Sequence, residues 1–72
     1  MDKTELLKKF GKNVKIERIK KDLTQEQLAE IMGLSQNYVA RIECGRQNMS
    51  LCKILELSNF LKTDIENLLK FN

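Results

Sequence analysis

Helix-capping residues divide most of this chain of 72 residues into short segments. Thr24, Ser35 and Ser50 each stand just before an apolar stripe with the i, i+3, i+4 spacing of a helix. Gly33 and Gly45 follow the first two of these stripes. Ser and Thr side chains accept hydrogen bonds from the free N–H groups that begin a helix, and Gly favours the left-handed conformation that ends one. Because helices this short are unstable alone, the chain can fold only by packing several of them together.

Five helices and no strand are predicted along the chain. The first is either one continuous helix ending near residue 21 or a short turn over 4–10 followed by a helix over 12–21, because Gly11 weakens its middle by about 1 kcal/mol relative to Ala. Asp22 suits its end, since Asp tolerates the left-handed conformation. A capping box, Thr24-Gln25-Glu26-Gln27, begins the second helix, and Ser35 begins the third.

The last two helices are predicted over 51–62 and from about residue 64. Ser50 caps the fourth, and the fifth begins either with a capping box over Thr63-Asp64-Ile65-Glu66 or with Asp64 capping directly. The side chains predicted to face the core from the second to the fifth helix are Leu28, Ile31, Met32, Val39, Ile42, Leu51, Ile54, Leu55, Leu57, Ser58, Phe60, Leu61, Ile65, Leu68 and Leu69.

The composition excludes most catalytic and metal chemistry. The chain has no His, so it lacks the side chain most often used as a general base near neutral pH. Without His, Cys44 and Cys52 cannot complete a four-ligand zinc site, and we expect both to be free thiols. We therefore expect no enzyme, no catalytic residue, no metal and no cofactor.

The basic residues are concentrated at the start of the chain. Residues 1–21 hold eight basic and three acidic residues, a net charge of +5, whereas the remainder holds five basic and seven acidic residues, a net charge of −2. Such a segment indicates either an anionic partner, nucleic acid or a membrane surface, or simply a solvated helix face. No apolar run has the length of a membrane span or of a signal peptide, so we expect a cytoplasmic protein.

The spacing between the second and third helices predicts a helix-turn-helix motif. Ala29 lies four residues before Gly33, Val39 lies six residues after it, and Ile42 follows three residues later. Two short helices that cross steeply through a tight turn need a small residue where they approach and a glycine in the turn. Branched side chains then fill the space between them.

The chain resembles the phage-repressor-like helix-turn-helix family, also called XRE. The resemblance covers about residues 10–69 and is carried by Phe10-Gly11-x-x-Val14-Lys15-x-x-Arg18, Leu23-Thr24-Gln25-x-x-Leu28-Ala29, Gly33-Leu34-Ser35 and Val39-x-x-Ile42-Glu43-x-Gly45-Arg46. It implies an all-α, compact five-helix bundle of the lambda repressor-like type. Residues 1–72 would then be a single DNA-binding domain, with the motif at about 25–44 and the recognition helix at about 36–43. The chain departs from the family pattern at Ile16-Glu17, Cys44 and Met49, and the reversed order at Ile16-Glu17 would expose Ile16 or shift the first helix locally.

The resemblance also implies which residues contact DNA. Gln36, Asn37 and Arg41 would read base edges in the major groove, the amides pairing with adenine and the guanidinium with guanine. Alternatively, Gln36 and Asn37 are ordinary exposed polar residues, and Arg41 contacts a phosphate. For Tyr38, the alternative to a DNA-backbone contact is simple packing against the first helix. The residues expected to contact the DNA backbone are Thr24, Gln25, Ser35, Tyr38, Arg46, Gln47 and Asn48.

An ion pair follows from the resemblance, and a dimer follows from the short reach of the recognition helix. Arg18 and Glu43 match a partly buried ion pair that ties the first helix to the end of the recognition helix. Because one short helix reads few base pairs, we expect a homodimer on a palindromic operator of double-stranded DNA. Ile65, Leu69 and Phe71 are the candidate dimer contacts, with core packing or a frayed tail as the alternative.

The function predicted is that of a sequence-specific transcriptional regulator of the repressor type, without a membrane or small-molecule partner. A phage regulator, a restriction–modification controller and an antitoxin component stay open. A competing hypothesis is a protein-interaction scaffold that keeps the fold and has lost DNA binding; a basic membrane-surface segment over 1–21 is another.

Overall fold

The computed structural model describes residues 1–71, and these residues form five α-helices and no strand. The helices are α1 (Lys3–Lys20), α2 (Gln25–Met32), α3 (Gln36–Glu43), α4 (Leu51–Phe60) and α5 (Ile65–Leu68). The predicted all-α architecture of five helices is thereby confirmed, and α3 has the bounds expected for the recognition helix.

The first helix is continuous and passes through Gly11 without a break. Asp2 caps its start by accepting a hydrogen bond from the Glu5 N–H at 2.8 Å. Asp22 follows its end with a φ of 57°, the left-handed conformation expected there. Of the two alternatives for this segment, the one continuous helix is therefore the right one.

Side-chain caps begin the next three helices as predicted. The Thr24 hydroxyl accepts from the Gln27 N–H at 3.0 Å while the Gln27 side chain accepts from the Thr24 N–H at 2.9 Å, which completes the capping box. Ser35 and Ser50 accept from the N–H groups of Tyr38 and Lys53, each at 3.2 Å. These bonds satisfy backbone donors that have no partner within the helix.

The capping box predicted at Thr63 is wrong. Asp64 holds the cap position of α5, but its side chain makes no capping hydrogen bond. The Thr63 hydroxyl instead donates to Glu17 Oε1 at 2.9 Å and accepts from the Asn67 side chain at 2.8 Å. A tertiary partner on α1 has replaced the local one.

The core lies where α1, α2, α3, α4 and α5 converge. Its buried apolar side chains are Phe10, Val14, Leu28, Ala29, Val39, Ile42, Leu57, Leu61 and Leu68. Asn13 fixes α5 against one flank of α1, since its side-chain amide donates to the Leu68 and Lys70 carbonyl oxygens at 3.0 Å each.

Three of the side chains predicted to face the core are largely exposed, and α4 ends at Phe60 rather than at residue 62. Leu51 is 68% exposed, Leu55 48% and Ile31 50%. The buried face of α4 is centred on Leu57 and Ser58. Leu55 follows Ile54 directly and therefore points about 100° away from it, off this face. Leu51 lies on the first turn of α4, which no other helix covers. Phe60 is also partly exposed. Ile16 is exposed, which is one of the two outcomes expected from the reversed order at Ile16-Glu17.

No helix within residues 1–71 is both long enough and apolar enough to cross a membrane.

Candidate nucleic-acid interface

The second and third helices form a tight helix-turn-helix unit. Gly33 ends α2 in the left-handed conformation with a φ of 70°, and the Leu34 N–H then donates to the Ala29 carbonyl oxygen at 2.9 Å. Leu28 and Ala29 of α2 are buried against Val39 and Ile42 of α3. The turn is therefore closed by backbone hydrogen bonds, and the apolar contact fixes the orientation of α3 relative to α2.

The outer face of α3 carries the three side chains predicted to read bases. Gln36, Asn37 and Arg41 are all exposed, whereas Val39 and Ile42 on the opposite face are almost completely buried. None of the three outer side chains forms a hydrogen bond or ion pair with another group among residues 1–71. Their two amides are thus available to donate and accept hydrogen bonds, and the guanidinium is available to donate them. The helix that carries them is fixed by its buried face.

The residues predicted to contact the DNA backbone divide into four that are exposed and three that are partly buried. Thr24, Ser35, Arg46 and Asn48 are exposed around the two helix starts and the loop after α3. The others are occupied in the fold: the Gln25 side chain donates to Glu43 Oε1 at 3.1 Å, Gln47 donates to the Asn48 carbonyl oxygen at 3.0 Å, and Tyr38 is half-buried.

Tyr38 is half-buried and packs against the core. It lines a small crevice with Met32, Leu34, Met49 and Phe60, which lies on the α2 and α4 side. The alternative expected for this residue was packing against the first helix. Its predicted contact with the DNA backbone stays a prediction.

A buried ion pair joins α1 to the end of α3. Arg18 Nε lies 2.7 Å from Glu43 Oε2, and a second donor of the same guanidinium lies 3.1 Å from Glu43 Oε1. The Arg18 and Glu43 side chains are 11% and 4% exposed. Arg18 also donates to the Leu23 carbonyl oxygen at 2.6 Å, so one side chain connects α1, the loop before α2 and α3.

Gln25 completes this cluster, a role that the sequence analysis missed. Its amide and the Arg18 guanidinium both donate to Oε1 of Glu43. The first residue of α2 is thereby fixed to the last residue of α3. No local pattern signals such a contact, because it joins residues 18 positions apart.

Two glycines permit the backbone of α3 and its following loop to approach α1. A Cβ added at Gly11 would lie 2.6 Å from the Glu43 carbonyl oxygen and closer still to that of Ile42. A Cβ at Gly45, whose φ is 78°, would lie 2.9 Å from the Lys8 Cα atom. From the sequence, Gly11 was expected only to weaken the first helix, although an isolated glycine inside a helical pattern can also have a packing reason.

The described residues contain no group of three His, Cys, Asp or Glu side chains placed to hold a metal ion. Both thiols, Cys44 and Cys52, are exposed and unpaired by disulfide.

Comparison with known proteins gives a consistent result. The Helix-turn-helix (HTH_3) family model matches residues 14–68. Control protein C.SmaI of Serratia marcescens is 38% identical over 69 residues, which span 96% of this chain and 79% of that protein. The crystal structure of the restriction-modification controller protein C.AhdI from Aeromonas hydrophila is similar with a TM-score of 0.79 and 40% identity, covering 86% of this chain and 94% of that one. A hypothetical transcription factor, NHTF, from Neisseria has a TM-score of 0.82 and 30% identity over 96% of this chain and 79% of its own.

Proposed function

The chain belongs to the Helix-turn-helix (HTH_3) family, and from this premise we propose that it controls a restriction–modification system by binding a palindromic operator as a homodimer. It is a DNA-binding transcriptional regulator and not an enzyme. Since its partner is double-stranded DNA, we also propose that it acts in the cytoplasm. The controller role is proposed over the phage-regulator and antitoxin roles because two of its relatives are control proteins.

The observation that carries this proposal is the division of α3 into two faces. One face is locked into the core by Val39 and Ile42, and the other presents Gln36, Asn37 and Arg41 to solvent. Because the backbone of a rigid helix is already ordered, only the side chain has to be fixed when it pairs with a base. Each good bidentate pair discriminates against the wrong base by about 1–3 kcal/mol. A scaffold would have no need of three hydrogen-bonding side chains on this face.

We propose that the first turn of α3 enters the major groove. Gln36 and Asn37 then pair with adenine N6 and N7, and Arg41, one turn further along, donates to guanine O6 and N7. The side chains of Thr24, Ser35, Arg46 and Asn48 hold the phosphates on either side, which sets the register without reading sequence.

The dimer contact proposed is an apolar patch around α4 and α5. Leu69 and Phe71, two of the three residues expected in the contact, pack partly against the chain's own core and line a crevice with Ile54. Leu51 and Leu55 lie four residues apart and so adjoin each other on the surface of α4, and they are its most exposed leucines. We therefore propose Leu51 and Leu55, with Ile65, Leu69 and Phe71, as the self-complementary contact.

Selection of bound sequences from random duplex DNA tests the proposal directly. We expect a palindrome whose half-sites lie about 34 Å apart, one helical turn. Asn37→Ala should relax the preference at one position in each half-site, with a loss of about 1–3 kcal/mol. Asn59→Ala, which removes the same amide from an exposed site on α4, is the control and should select the unaltered sequence. If no duplex binds even at low salt, the scaffold hypothesis is correct instead.

Leu55→Lys is expected to weaken the dimer, because a lysine ammonium in an apolar contact must lose its hydration. Sedimentation at micromolar concentration should show the mass shifting from dimer toward monomer, with at least a roughly tenfold rise in Kd, which corresponds to about 1.4 kcal/mol. Ile16→Lys makes the same change at a side chain of similar exposure on the outer face of α1 and should leave the dimer intact. A strict monomer in the unmodified chain, with and without operator DNA, would show the dimer proposal to be wrong.

A further inference from the structure

Three exposed lysines form a basic strip on α1, and we refer to Lys8, Lys12 and Lys15 as the lysine edge. Their spacing of i, i+4 and i+7 places them on one side of the helix. The edge borders the flank of α1 that contacts α3: Gly11 meets the carbonyl groups of Ile42 and Glu43, and Lys8 lies against Gly45. The opposite flank of α1 contacts α5 through Asn13.

The lysine edge has no anionic partner within the described chain. Its three side chains form no ion pair among residues 1–71. By contrast, Lys9 lies 3.3 Å from Glu5 and Lys20 lies 3.1 Å from Glu17, both on other sides of α1. Like charges at this spacing repel each other and weaken a helix slightly, so the folded chain alone gains nothing from the cluster.

The helix-turn-helix segment itself carries the wrong net charge for its ligand. Residues 22–48 contain two basic residues, Arg41 and Arg46, and four acidic ones, a net charge of −2. Duplex DNA carries one negative charge for about every 1.7 Å of its axis. Lysines and arginines that neutralise phosphates supply essentially all of non-specific binding and a large share of specific binding. Most of the neutralising charge must therefore come from outside this segment.

We propose that the lysine edge binds the phosphodiester backbone of duplex DNA beside the half-site read by α3. The edge continues the surface of the loop after α3, because Lys8 packs against Gly45 and Arg46 follows directly. The inference rests on the proposed function and adds a binding surface on α1 to it. A membrane is a poorer partner, since Phe10 and Val14 of α1 are buried in the core and cannot insert. The apolar side chains that α1 leaves well exposed, Leu6, Ile16 and Ile19, are scattered among its charged residues.

The test is the salt dependence of binding. The full chain and the variant Lys8→Gln/Lys12→Gln/Lys15→Gln are titrated into a fluorescent random-sequence duplex at several salt concentrations. We expect the slope of log K against log salt to become shallower by about 0.9 for each phosphate that the variant no longer neutralises, and affinity to fall for all sequences alike. Lys9→Gln, which removes one charge from another side of the same helix, should leave the slope unchanged.

The outcomes separate this inference from the proposed function. If the unmodified chain binds DNA and the triple variant keeps its slope, the lysine edge is not a DNA contact and the rest of the interface stands. If the unmodified chain binds no duplex at low salt, both proposals fail. A thermal melt of the triple variant that matches or exceeds that of the unmodified chain shows that any loss of binding is not a loss of folding.

Discussion

Arg18→Ala is expected to lower the free energy of unfolding by about 3–5 kcal/mol, because it leaves the buried Glu43 carboxylate without its cation. Glu43 would keep only the Gln25 amide as a donor, and the Leu23 carbonyl oxygen would lose a hydrogen bond of 2.6 Å. A domain of this size has a total stability of only about 5–10 kcal/mol, so the loss is a large share of it. Thermal and urea unfolding measure the effect.

Two further variants identify the cause of that loss. Lys15→Ala removes an exposed charge one turn away on the same helix and should change stability by no more than about 0.5 kcal/mol. The double variant Arg18→Met/Glu43→Leu removes both charges, and we expect it to be more stable than Arg18→Ala because no charge is stranded. Equal losses for Arg18→Ala and Lys15→Ala would contradict the role of the pair. A double variant no better than the single one would show that the loss is not due to the stranded carboxylate.

The helices could be predicted from sequence because their ends are decided within three or four residues. Thr24, Ser35 and Ser50 each find a backbone N–H three positions along, so the local pattern contains both partners. Thr63 has the same pattern, yet its hydroxyl donates to Glu17, which is 46 positions away. Local spacing cannot show that a distant acceptor competes for the same hydroxyl.

The exposed residues of the candidate site could be predicted from the sequence, but the tertiary contacts that hold α3 in place could not. The exposure of Gln36, Asn37 and Arg41 follows from helical periodicity once Val39 and Ile42 are buried. The side chain of Gln25, by contrast, points to Glu43, and this depends on how α2 and α3 cross.

The same limit applies to α4. Its apolar stripe is wider than the surface that neighbouring helices cover, so the sequence alone could not tell which leucines stay exposed. Leu51 and Leu55 match the pattern of core residues as well as Leu57 does, and only the packing of α4 against α2 and α5 separates them.

Gly11→Ala is expected to destabilise the fold by about 2–3 kcal/mol, although helix propensity alone predicts a gain of about 1 kcal/mol. The added methyl group would lie 2.6 Å from the Glu43 carbonyl oxygen and closer still to that of Ile42. These are backbone atoms, so no side-chain rotation can relieve the overlap, and the end of α3 must move away from α1. Because Glu43 is at that end, the ion pair with Arg18 should weaken as well.

The sign of the change in unfolding free energy shows whether the steric overlap or the gain in helix propensity dominates in Gly11→Ala. Urea unfolding gives the stability, and amide hydrogen exchange in the last turn of α3 should accelerate if that turn has moved. Gly33→Ala is the matched control, because its Cβ would meet nothing within 4 Å. Its cost of about 1–2 kcal/mol comes from the φ of 70° alone. Hydrogen exchange in the last turn of α3 should therefore not change selectively. An unchanged or increased stability in Gly11→Ala would mean that α1 and α3 are not in close contact, and the lysine edge would then have no fixed position beside the recognition helix.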